Sequence, residues 1–96
     1  MRGVDEMKYQ ISKESYEYFK AIEKKRKVKL KNVLLLQVAE LEGKYVIFHV
    51  TEAFQEEGIQ CMTADIKNTF NTNAEARMYV RNMKRDFELK TGIRPI

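Results

Sequence analysis

The residues of this 96-residue chain with the most chemical potential fall into two sets, one of proton carriers and one of cations. The first holds the lone histidine, His49, the lone cysteine, Cys61, and two serines, Ser12 and Ser15. In the strand register argued below, His49 and Asp65 meet across neighbouring strands, and an imidazole beside a carboxylate is a unit that can move a proton. Catalysis needs a nucleophile or a second acid or base within reach, and the side chains around the pair are Thr51, Thr63, Gln37 and Lys67. The serines sit where a helix begins and act as caps, and Cys61 has no base placed beside it. One cysteine and one histidine cannot make the usual four-ligand zinc site, and a single cysteine makes no internal disulfide. The glutamates at 52, 56 and 57 lack the alternating ligands of a calcium loop. The four glycines are isolated, so no glycine-rich phosphate loop is present. These residues predict no enzyme, no metal and no cofactor.

The cations are more suggestive. Residues 73–92 carry the clearest helical pattern, with Glu75 in the first turn and Gly92 at the end. At about 100° per residue Ala76, Tyr79, Val80, Met83 and Phe87 share one stripe, while Arg77, Arg81, Lys84 and Arg85 collect on the other side. Only Glu88 joins them, whereas a merely solubilising face carries alternating i,i+4 ion pairs. A second basic run, Lys24 to Lys31, includes Lys29 and Lys31. It resembles a nuclear import signal, but Val28 and Leu30 read as part of a strand. Net charge is +4, from 18 basic and 14 acidic side chains, which favours a polyanionic or acidic partner.

These faces need elements to hold them. Ninety-six residues make one core and one domain, expected over residues 7–96 behind a flexible segment at 1–6. No apolar run approaches the ~20 residues of a membrane span and the N-terminus lacks a signal-peptide core, so the expected location is cytoplasmic. Residues 7–11 alternate as a short edge strand. Ser12 caps a helix whose stripe is Tyr16, Phe19 and Ile22. From Val28 the period changes to two, and strands are expected over 28–39, 45–54 and 60–68.

A three-residue loop at 41–43, with Gly43 in a left-handed bulge position, sets Leu34, Leu36 and Val38 against Val50, Phe48 and Val46. A two-residue turn at Glu42-Gly43 would instead set Leu36 opposite His49 and mix the faces, so the first register is expected. The same loop at 56–58 sets Val50 opposite Ala64 and Phe48 opposite Ile66. The predicted architecture is α+β, in the order β-α-β-β-β-α. It has a three- to four-stranded, mainly antiparallel sheet with two helices packed on one face, and Phe48 at the centre of the core.

The order helix, three-stranded meander, helix resembles the double-stranded-RNA-binding domain, and with the leading strand it resembles the ribosome hibernation and stalling factors. Three strands and then a helix beginning Phe70-Asn71-Thr72-Asn73-Ala74-Glu75-Ala76 are similar to the arm-binding domain of phage integrases. The resemblance is one of topology and implies nucleic-acid binding. The lysine pair that opens the last helix of the double-stranded-RNA-binding domain is replaced here by Asn73 and Ala74, so no residue role carries over.

The leading expectation is a non-enzymatic nucleic-acid-binding module, RNA favoured over DNA. It would hold phosphates through Arg77, Arg81, Lys84 and Arg85, with Lys29 and Lys31 as further contacts. The alternative is a small protein-binding regulator or inhibitor of the phage or mobile-element kind. It would act on an acidic protein or a ribonucleoprotein, or pair with a second copy, through Tyr45, Ile47, His49 and Asp65 on an outer sheet face.

Overall fold

The computed structural model describes residues 6–96, with Glu6 described by its backbone alone. The expected frayed segment at 1–6 therefore lies outside the described residues, except that Glu6 opens the first strand. The order is β1 (Glu6–Gln10), α1 (Lys13–Arg26), a 3₁₀ turn (Leu30–Asn32), β2 (Leu36–Leu41), β3 (Lys44–Glu56), β4 (Ile59–Phe70) and α2 (Asn73–Thr91). One four-stranded antiparallel sheet forms in the order β1-β4-β3-β2, and the two helices pack on it. No helix of the described residues is long and apolar enough to cross a membrane.

Each helix begins and ends where its local chemistry requires. Ser12 accepts from the Ser15 N–H at 3.0 Å, and Glu14 lies in the first turn, where the helix dipole favours an anion. Three cations, Lys24, Lys25 and Arg26, occupy the last turn. Thr72 caps α2 by accepting from the Glu75 N–H at 3.2 Å while its hydroxyl donates to the Glu75 carboxylate at 2.9 Å. At the other end Gly92 takes φ 73° and its N–H returns to Glu88 O at 2.8 Å, a conformation glycine adopts without penalty.

The turns depart from expectation. Glu42 and Gly43 have φ of 52° and 77°, and Leu41 pairs with Lys44, so β2 and β3 join through the tight two-residue turn. Its backbone twist matches that of the flanking strands, which outweighs placing a non-glycine residue at positive φ. The register follows: Leu36 faces His49 and Val38 faces Ile47. Glu57-Gly58 makes the second turn in the same way, with φ of 53° and 79° and Glu56 opposite Ile59. The ladder then slips by one residue between Val50 and Glu52, and this bulge at Thr51 restores Val50 opposite Ala64 and Phe48 opposite Ile66, as expected. A second slip follows between Ile47 and Phe48.

The strand expected over 28–39 shortens to Leu36–Leu41. Val28 and Leu30 do not alternate in a sheet: Leu30 is fully buried in the 3₁₀ turn, its N–H held by the Glu23 carboxylate at 3.2 Å. The run Val33 to Leu36 is buried throughout, because its neighbours serve different clusters. Leu35 joins Phe19, Leu30, Val50 and Ala53 beneath α1. Leu34 and Leu36 join Ile47 and Ala76 beneath α2, with Tyr79, Val80, Met83 and Phe87 closing over them. Since side chains alternate along a strand, Ile47 and Val50 point to opposite sides of β3, so the two helical stripes rest on residues of opposite parity and not on one face as expected, because β3 carries apolar residues on both sides. Val46, Phe48 and Ala64 form a third cluster with Tyr9, whose ring meets Phe48 edge-on at 5.2 Å between centroids.

This register predicts a contrast between facing residues. Ile47→Ala, at a side chain with 0% exposure, should cost about 2–5 kcal/mol, while Val38→Ala, at 41% exposure, should cost under ~1 kcal/mol. Urea unfolding of the two variants measures this, and equal losses would contradict the exposure of Val38 on the edge strand β2.

Candidate functional site

Packing of its apolar stripe turns the other side of α2 outward. Arg77, Arg81 and Arg85 are exposed, and Lys84 is half-buried at the margin of the stripe. Arg85 donates to the Asn82 side-chain oxygen at 2.9 Å, an i−3 contact that steadies the guanidinium along the helix. The ion pairs among the described residues lie elsewhere, Lys8 with Glu56 at 2.6 Å and Lys20 with Glu23 at 3.3 Å. Arg77, Arg81 and Lys84 thus have no carboxylate at ion-pair distance among the described residues. Their charge is not cancelled locally, although Glu88 is exposed on the same helix. Two apolar side chains share this outward side, Met78 at 64% exposure and Leu89 at 77%. Helical angle alone places them there, about 20–40° beyond Arg85, but attention to charge passed them over.

Lys29 and Lys31 are held on a different element. They flank Leu30 in the 3₁₀ turn, both exposed, with Leu30 anchored between them. They line a cleft of about 540 Å³ together with Lys20 and Glu23 of α1 and Thr51 and Thr63 of the sheet. The two basic sets are therefore separate surfaces.

The residues expected to form an outer docking face do not form one. Ile47 is fully buried and Tyr45 packs against the same cluster under α2, because α2 covers the side of β3 that was expected to stay open. His49 and Asp65 do lie opposite one another across β3 and β4. His49 is half-buried, and its Nε2 lies 3.2 Å from the Val33 carbonyl, an acceptor that assigns the proton to that nitrogen. Asp65 Oδ1 is shielded from solvent and has no hydrogen-bond partner among the described residues. Cys61 is buried, opposite Phe54 on β3. Near it, the hydrogen bond and the charge of Glu56 raise Lys8 above the usual lysine range. Among the described residues no three His, Cys, Asp or Glu side chains gather into a metal-holding group.

Comparison with protein-family models, with curated proteins and with solved structures found no match. The topological resemblances accordingly supply no residue roles, and function has to be read from this chain's own surfaces.

Asp65 gives a prediction of its own. An oxygen shielded from water without a hydrogen-bond partner is a net cost of about 1–3 kcal/mol, more when it is charged. Asp65→Asn should leave the melting temperature unchanged or raise it. A fall in the melting temperature would show that the carboxylate is stabilised by an interaction that the geometry above does not contain.

Proposed function

We propose that the protein is a small non-enzymatic nucleic-acid-binding module that grips the phosphate backbone with the outward face of α2, RNA preferred to DNA. The observation that carries this reading is the set of Arg77, Arg81, Lys84 and Arg85 on one helix face, with no neutralising carboxylate at ion-pair distance among the described residues. Guanidinium groups suit phosphate because they offer planar, paired donors and keep their charge. Successive turns of a helix repeat every ~5.4 Å, so Arg77, Arg81 and Arg85 form a row that can follow a strand of phosphates. Few side chains on this face can read base edges, Asn82 being one, so the contacts position the nucleic acid without specifying its sequence. Met78 and Leu89 beside the row supply apolar surface for sugars or unstacked bases.

Lys29 and Lys31 belong to this reading only as a separate contact, since they stand on the 3₁₀ turn and not on α2. A protein-binding regulator is the second reading, with α2 taking an acidic partner. The cationic row supports it equally, whereas the buried Ile47 removes the sheet face first expected for it.

Fluorescence anisotropy with short labelled RNA and DNA of unrelated sequences tests the proposal. Each phosphate neutralised contributes about 0.7–0.9 to the slope of log affinity against log salt, so a row of four should give a slope near −3. Arg81→Glu with Arg85→Glu should weaken binding to every sequence alike and reduce the slope by about 2. Binding that keeps its salt slope in this variant would remove the α2 face from consideration.

A further inference from the structure

We infer that the cleft between α1, the 3₁₀ turn and the bulged part of β3 is a binding site for a phosphate monoester. Its volume of about 540 Å³ lies within the ~300–1,000 Å³ of small-ligand sites. The inference stands independently of the role proposed for α2, because no residue of that helix lines the cleft.

Three features point to this chemistry. The first is uncancelled positive charge. Lys29 and Lys31 line the cleft and neither has an ion-pair partner among the described residues. Glu23, a lining carboxylate, has both oxygens engaged, one with Lys20 Nζ at 3.3 Å and the other with the Leu30 N–H at 3.2 Å. That arrangement fixes Lys20 against α1 and ties the 3₁₀ turn to the helix, so the lysines on either side of Leu30 start from a rigid base.

The second feature is the bulge. The slip between Val50 and Glu52 leaves Thr51 outside the β3–β4 pairing and brings its hydroxyl to Thr63. Thr51 Oγ1 donates to the Thr63 carbonyl at 3.1 Å and lies 2.9 Å from Thr63 Oγ1. With the Thr51 proton on that carbonyl, the Thr63 hydroxyl is left to donate, either to Thr51 or to an oxygen in the cleft. Bulges commonly re-aim a side chain beside a site, and here one places a neutral donor among the lysines.

The third feature is the sign of what remains. Glu52 lines the cleft, is exposed and has no hydrogen bond or ion pair among the described residues. It opposes an anion, so a ligand must carry enough charge to bind despite it. A phosphate monoester carries about −1.5 to −2 at neutral pH and presents three acceptor oxygens, more than the single charge of a phosphodiester. Lys29, Lys31 and Thr63 supply donors for those oxygens. The monoester can belong to a free nucleotide or to the 5′ end of a nucleic acid chain.

Calorimetric titration of the full chain with AMP tests the site, with circular dichroism confirming that each variant folds. Thr63→Val should weaken AMP binding by about tenfold, and Thr63→Ser, which keeps the hydroxyl, should restore it. Lys29→Glu with Lys31→Glu should weaken it further, and Glu52→Gln should strengthen it. Arg81→Glu with Arg85→Glu should leave it within about twofold, which separates this site from the α2 face. A 5′-phosphorylated oligonucleotide that binds more tightly than its 5′-hydroxyl counterpart assigns the site to a chain end. Equal affinity of the two oligonucleotides beside measurable AMP binding assigns it to a free nucleotide. Absence of saturable AMP binding overturns the inference, as does binding indifferent to Thr63→Val and to Glu52→Gln.

Discussion

Everything in this fold depends on β3 being buried on both of its sides. Ile47 and Val50 stand three residues apart on one strand, point in opposite directions, and are each at 0% exposure. One is closed over by α2 and the other by α1. A chain of this length can bury only a limited apolar area, and each fully buried large aliphatic side chain contributes about 1.5–3 kcal/mol before conformational entropy is charged against it. Splitting that area between two sides of a central strand gives each helix its own seat. The tight turn at Glu42-Gly43 is the local device that enforces the split, since it sets Leu36 and Val38 beside His49 and Ile47.

The working surfaces follow from this seating. Once α2 commits Ala76, Val80, Met83 and Phe87 to the sheet, its arginines have nowhere to go but outward. The same logic acts at α1, where burial of Leu30 between two lysines turns Lys29 and Lys31 to solvent. Among the described residues these outward basic side chains make no ion pair. That leaves their charge available to a partner.

The element order, the Ser12 cap, the stop at Gly92 and the two faces of α2 were legible in the sequence, because each rests on contacts within a few residues. The β2–β3 register was not, and the reason is specific. Requiring one wholly apolar face is sound for a sheet covered on one side, but Val33 to Leu36 is buried on both, so its pattern carries no parity. The β3–β4 pairing came out as expected in its centre for a different reason, a bulge at Thr51 in place of a longer turn. Bulges leave little trace in polar, β-branched sequence, and so the cleft that this one helps to line was invisible too. The docking face around Ile47 failed with the register on which it stood.

The central claim is that the outward face of α2 meets phosphate. Amide chemical-shift mapping of isotopically labelled protein, titrated with a short RNA duplex and with a single strand, tests it most directly. The account expects shifts concentrated at Arg77, Met78, Arg81, Lys84, Arg85 and Leu89, reversed by added salt. Shifts gathered on β3 and β4 with α2 silent, or no shifts with either RNA, would contradict it.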